Sequence, residues 1–217
     1  MIINHIKSLI QEVENSKAST QKALIIIDYT DQNVNKNEVK DWDLTLNKVK
    51  LIQPNIEKLI DYCRSKNYLI VFIATKEWSE KNLPSNINHL YKTNPDASFY
   101  SEGKDELMIK PKPNDQIFYK NKYSAFSGTN GQLQKYLQSQ KINNLIICGI
   151  YSTGCVKDTI AEGFAIGYHM TIIKDCIETF DRKDKQQYQK SLLNDWPYMY
   201  GPVINLKEFI NNDTSGS

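Results

Sequence analysis

Four short, unbroken apolar runs constrain this chain more than any other feature: "KALIIIDYT" ending in Asp28, "YLIVFIAT" (68–75), "NNLIICG" (143–149) and "HMTIIKDC" (169–176). A strand with one wet face alternates polar and apolar residues. These runs do not, so each reads as a strand buried on both faces, as in a parallel sheet. "DQIFYK" (115–120) reads as a further, shorter strand. Between the runs lie segments of helical spacing. Residues 46–66 carry Val49, Ile52, Ile56, Leu59, Ile60 and Cys63 on one stripe, with Pro54 suited to the first turn of the regular helix. Helices are also expected over 129–140, 155–166 and 183–194. The alternation predicts an α/β fold: a doubly wound, mostly parallel sheet with helices on both faces, built as one domain over 1–217. A short helix over 3–16 reads as an appendage within 1–19, and 212–217 as a frayed tail. The long polar stretch 76–115, with prolines at 84, 95, 111 and 113, is the kind of connection that shapes a binding site.

Charge excludes some functions. Net charge is +2, and the lysines at 104, 110, 112, 120 and 122 are diluted by Glu102, Asp105, Glu106 and Asp115, so no nucleic-acid footprint is expected. No apolar run approaches the ~20 residues that span a bilayer. The leading segment carries acids and lacks the apolar centre of a signal peptide, which gives a cytoplasmic expectation with no membrane partner. Cys63, Cys148, Cys155 and Cys176 have neither C-x-x-C nor zinc-finger spacing, and free thiols are expected. Three of them sit in or beside apolar runs. Cys155, in "GIYSTGCVKDT", stands where a strand turns into a helix.

Ligands of such sheets bind outside the carboxyl ends of the strands. Asp28 ends the first strand, Lys120 ends the third, and Cys155 lies in the turn after the fourth, so a parallel sheet brings all three to one edge. Together they make a nucleophile set. A helix N-terminus and a lysine ammonium both favour a thiolate, and an aspartate can take its proton and return it to a leaving amine. Histidine is the commoner base for cysteine, but His169 begins the fifth strand, so it is expected near the opposite edge, roughly 15–18 Å away from the three residues. His5 and His89 read as structural or surface residues.

Each residue alone has a plainer reading: a structural thiol, a capping aspartate, a solvated lysine. Two other classes of function stay open on the same residues. One is a catalytically silent binding or assembly scaffold. The other is a thiol redox protein using Cys155, with Cys176 as the resolving partner nearest by topology.

The segments "ALIIIDYTDQ", "KNKYSAFSGT" and "GIYSTGCVKDTIAEGFAIGYHMTIIKDC" together resemble the isochorismatase-like cysteine hydrolases, in the family's order across roughly 20–180. The resemblance implies that fold, which is Rossmann-like, and a metal-independent, cofactor-free amidohydrolase acting on an amide, lactam or carbamoyl C–N bond of a small molecule through a thioester. It places the nucleophile on Cys155, the acid on Asp28 and the lysine on Lys120. The family lysine lies four residues before the serine that falls on Ser124, which selects Lys120 over Lys122. It also implies a cis peptide at Ile150–Tyr151, an oxyanion hole from the Tyr151 and Cys155 amides, and a homo-oligomer. Substrate walls are expected from 76–100 (Trp78), from the turn at Tyr151 and Ser152, and from 178–182. Gly154 is expected to leave room in the turn. Nicotinamidases of the family carry histidine metal ligands after the first strand, and 28–45 here has no histidine. The "STGC" turn is closer to the N-carbamoylsarcosine amidase and streptothricin hydrolase type.

Overall fold

The structure is a computed structural model that describes residues 21–36, 46–75, 77–94, 98–101 and 106–215. Its strands are β1 (Lys22–Ile27), β2 (Leu69–Thr75), β3 (Gln116–Lys120), β4 (Asn144–Ile150), β5 (His169–Glu178) and β6 (Val203–Ile204). They form one sheet of order β3-β2-β1-β4-β5-β6, with every pairing parallel. The chain winds outward one way through β1, β2 and β3 and the other way from β4. The switch point therefore lies between β1 and β4, where such folds leave a crevice.

The apolar runs of β1, β2 and β4 are buried along nearly their whole length. Residue alternation sends Leu24 and Ile26 to one face and Ala23, Ile25 and Ile27 to the other. On the first face pack α1 (Asn47–Leu51), α2 (Gln53–Ser65) and α8 (Leu206–Ser215), through Val49, Ile56, Leu59 and Phe209. The second face is covered by α4 (Ala125–Gly128), α5 (Gln132–Ser139), α6 (Lys157–Ala165) and α7 (Lys183–Met199), through Phe126, Leu137, Ile160 and Trp196. The regular helix after the first linker does begin beside Pro54, in the first turn of α2.

Four local expectations differ. The 76–115 stretch contains a helix, α3 (Ser85–Thr93), whose Ile87 and Tyr91 join Trp78 and Leu83 in a small satellite core. The expected helix from 129 begins at Gln132, because Thr129 closes α4 and Gly131 takes a left-handed φ of 76°. Helix α7 continues past 194 through Pro197 to Met199, and α8 is helical through 212–215. The expected leading helix over 3–16, with His5, lies outside the described residues. So do parts of the 31–45 and 76–115 connections.

At the switch point Gly149 of β4 pairs with Ile27 of β1. Gly149 has φ +114°, and a Cβ there would stand 2.1 Å from the Ile27 carbonyl oxygen. Backbone cannot yield as a side chain can. Gly149→Ala is therefore expected to cost about 3 kcal/mol in urea unfolding. Gly154→Ala, whose Cβ would meet nothing within 4 Å, lacks that clash and is expected to cost clearly less. Equal stability of the two variants would contradict this packing.

Candidate active site

Three strand ends deliver the site. Asp28 follows β1 in a left-handed turn, φ 51°, a conformation that Asp tolerates better than most residues. Its amide donates to the Ile73 carbonyl at 2.9 Å, fixing it beside β2. Lys120 is the last residue of β3, level with Thr75 of β2. Its side chain reaches back over β2 toward β1. Cys155 sits in the helical turn Ser152–Val156, after a cis peptide at Ile150–Tyr151, and leads into α6.

The three side chains converge. Lys120 Nζ lies 2.9 Å from Asp28 Oδ2 and donates at 3.3 Å to Cys155 Sγ and at 3.1 Å to the Lys122 carbonyl. It also lies 5.2 Å over the Trp78 ring, whose electron-rich face favours a cation. Lys122 contributes only that carbonyl. The second Asp28 oxygen, Oδ1, is buried and makes no hydrogen bond of ordinary geometry, although carboxylate and thiol are close enough to act on each other's ionisation. A short relay ties the lysine segment to the cysteine turn: the Ala125 amide donates to Thr159 Oγ1 at 3.0 Å, and Thr159 Oγ1 donates to the Cys155 carbonyl at 2.7 Å. Ser124 caps α4 by accepting from the Phe126 amide.

Burial dominates the electrostatics. It pushes the Cys155 thiol up to about 12; Lys120 pulls the other way, and the Asp28 carboxylate adds to the rise. The sequence suggests a thiol shifted toward thiolate by lysine and helix end. The structure reverses that sign, because desolvation outweighs the ammonium. Burial also raises Asp28 above the usual carboxylate range, with Lys120 restraining it. Burial alone would lower the Lys120 ammonium, but the negative groups beside it outweigh that and raise it. At neutral pH the ammonium and the thiol both keep their protons, and Lys120 is the group that holds the raised Asp28 toward its ionised form.

The set lines a cavity of about 340 Å³. Trp78, Tyr91, Phe99, Tyr123, Tyr151 and Phe180 make its aromatic walls, so all three expected wall segments contribute. Tyr151 stacks on Phe180, ring centroids 4.0 Å apart, and its hydroxyl donates to the Asn33 carbonyl. Gly154 lines the cavity, where its missing side chain leaves space. Ser152, expected in the substrate wall, is not there: it is fully buried and turned toward Gln189 of α7. Asn33, Tyr123, Lys157, Asp158 and Lys185 also line the cavity and were not singled out by sequence. Tyr123 had a signal, since it stands inside the "KNKYSAFSGT" segment. His169 begins β5 and is exposed, as is His89 on α3. Cys176, the expected resolving thiol, is buried in the core on the first face, whereas Cys155 packs against the core on the second. The sheet lies between them. Among the described residues, no three His, Cys, Asp or Glu side chains are grouped to hold a metal, and no helix is long and apolar enough to cross a membrane.

An α/β domain with a buried Asp–Lys pair beside a half-buried cysteine at its switch point defines a class of protein, and sequence comparison narrows it. The isochorismatase-domain profile matches residues 22–208, and the chain belongs to that family. An N-carbamoylsarcosine amidase of Arthrobacter is 28% identical over 137 residues, 59% of this chain and 50% of that protein. A ureidoacrylate amidohydrolase of Caulobacter segnis is 38% identical over 105 residues, 48% of this chain and 41% of that protein. The chain thus spans about half the length of these curated relatives. Among solved structures, a cysteine hydrolase of Pseudomonas syringae superposes with TM-score 0.74 at 21% identity, covering 91% of this chain and 94% of that one. N-carbamoylsarcosine amidase of Thermoplasma acidophilum gives 0.64 at 18% identity, covering 86% and 96%. These superpositions bear out the doubly wound fold.

Iodoacetamide is expected to label Cys155 first, since Cys63, Cys148 and Cys176 are fully buried. Labelling should be slow at neutral pH and climb steadily above it, as the thiol loses its proton toward about 12. Lys120→Ala removes the one group that pulls this value down, so labelling at any given pH should slow. Peptide mapping after graded alkylation measures both. Prior labelling of another cysteine, or a midpoint below 7 at Cys155, would contradict the arrangement.

Proposed function

We propose that the chain is a cysteine-dependent amidohydrolase that cleaves a non-peptide C–N bond of a small amide, lactam or carbamoyl compound through a thioester. One observation carries the reading: a single buried ammonium lies within hydrogen-bond reach of both a carboxylate and a thiol, at the wall of a substrate-sized cavity.

In this mechanism Cys155 Sγ forms the new bond to the carbonyl carbon while its proton passes to Asp28. Oδ1, without a partner at rest, is the oxygen suited to receive it. The carbonyl electron pair moves onto oxygen, held by the Tyr151 and Cys155 amides; losing one such donor typically costs ~10²–10³ in rate. The pair then returns, the C–N bond breaks, and Asp28 protonates the leaving nitrogen. Water attacks the thioester, gives a proton to Asp28, and the C–S bond breaks. The sulfur recovers its proton from Asp28, restoring the resting state. Lys120 stays protonated, and the site keeps one negative charge throughout: on the carboxylate, on the oxygen of each tetrahedral intermediate, and on the sulfur as it leaves. That a thiol raised to about 12 can react at neutral pH follows from this coupling, since the proton leaves only as attack begins.

The relatives support the choice of bond by their names, an amidase and an amidohydrolase. A silent scaffold has no use for a buried carboxylate and ammonium set against a thiol, and the position of Cys176 disfavours a redox pair.

A panel of ureas, carbamoyl amino acids, lactams and carboxamides, read by ammonia or amine release, tests the proposal. Cys155→Ala is expected to abolish release. Asp28→Asn should lower it by about 10²–10⁴, because an amide can neither take nor return the proton. Turnover is expected to survive EDTA, given that 28–45 offers no imidazole ligand. Full turnover in Cys155→Ala, or loss of turnover on removal of a bound metal, would overturn the proposal.

A further inference from the structure

The turn that presents the Tyr151 and Cys155 amides is fastened along one side to the end of β5 and to α7. Tyr151 stacks on Phe180, and Thr153 Oγ1 meets Thr179 Oγ1 at 2.9 Å. Between these two ties Ser152, fully buried, donates its hydroxyl hydrogen to Gln189 Oε1. Gln189, itself buried on α7, donates through Nε2 to Glu178 Oε1 at 2.8 Å. Glu178 pairs with Ile150 across β4 and β5, and its Oε1 also accepts from the Thr179 amide at 2.8 Å and from Gln186 Nε2 at 2.9 Å.

The direction of this chain of bonds is fixed by chemistry. A carboxylate only accepts, so Gln189 must turn its NH₂ to Glu178 and its carbonyl to Ser152. A side chain at 189 has to accept at one atom and donate at the next. Glutamate, equal in size, would set a second carboxylate against Glu178.

We propose that Gln189 is a positioning residue for the reaction: acting through Ser152, it holds the 151–155 turn so that its amides face the oxygen of the tetrahedral intermediate. Gln189 does not line the catalytic cavity and touches no reacting atom, so its effect falls on oxyanion stabilisation and not on thiol ionisation. This rests on the amidohydrolase reading above, and two chemical probes of Cys155 separate the two claims. Acylation by p-nitrophenyl acetate passes through a tetrahedral oxyanion. Alkylation by iodoacetamide does not.

Gln189→Glu and the uncharged, similarly sized Gln189→Met are the test variants. Acylation of Cys155 is expected to fall about tenfold to a hundredfold in both variants, the scale of a small displacement of catalytic groups. Alkylation at matched pH should be unchanged. Amide NMR resonances of residues 151–155 should shift in both variants. Unshifted resonances, or equal losses in acylation and alkylation, would overturn the positioning role. If wild-type Cys155 alkylates but never acylates, the amidohydrolase reading fails, and the resonances alone decide whether Gln189 holds the turn. Should Gln189→Glu fail to fold, Gln189→Met carries the comparison.

Discussion

The site depends on one buried ion pair. Asp28 and Lys120 are 3% and 2% exposed, and their charged atoms stand 2.9 Å apart. Taking two such ions from water costs several kcal/mol each, and removing one partner typically costs about 3–5 kcal/mol. The surroundings compensate only in part. The ammonium has the Lys122 carbonyl, the Trp78 face and the thiol, whereas the carboxylate keeps one oxygen without a geometric partner. A fold selected for stability alone would gain by replacing this pair with apolar residues. Its presence at the switch point, opening on a cavity, is what a proton-transfer site looks like.

The same pair explains the cysteine. A thiol raised to about 12 is a poor nucleophile by itself. Beside a raised carboxylate, however, transfer of its proton moves one negative charge by a few ångströms and leaves the net charge of the site unchanged. The lysine faces that charge in either position. Desolvation therefore penalises the reacting state little more than the resting one, which is the sense in which such a site is preorganised. The turn that carries the thiol is held from two sides, by Thr159 beneath Cys155 and by the Ser152–Gln189–Glu178 chain beside it.

What the sequence disclosed followed from periodicity and topology. Unbroken isoleucine runs announced β1, β2 and β4, and the parallel order then forced Asp28, Lys120 and Cys155 to one edge. Helix α3 escaped notice because prolines and polar residues hide a four-residue spacing of Leu83, Ile87 and Tyr91. The sign of the thiol shift was hidden as well. Sequence shows which charges are near but not how much water is lost, and here the loss of water decides. Ser152 was misplaced for a related reason: it neighbours two cavity residues, but the turn sends its hydroxyl inward to a residue 37 positions away. Gln189 had no local signal at all.

Intact-mass analysis of the protein quenched during turnover of a responsive amide tests the central claim most directly. The account predicts an added mass equal to the acyl or carbamoyl fragment, mapped to the Cys155 peptide, absent from Cys155→Ala and released by hydroxylamine. Steady release of amine with no adduct at Cys155, and with turnover retained in Cys155→Ala, would contradict it.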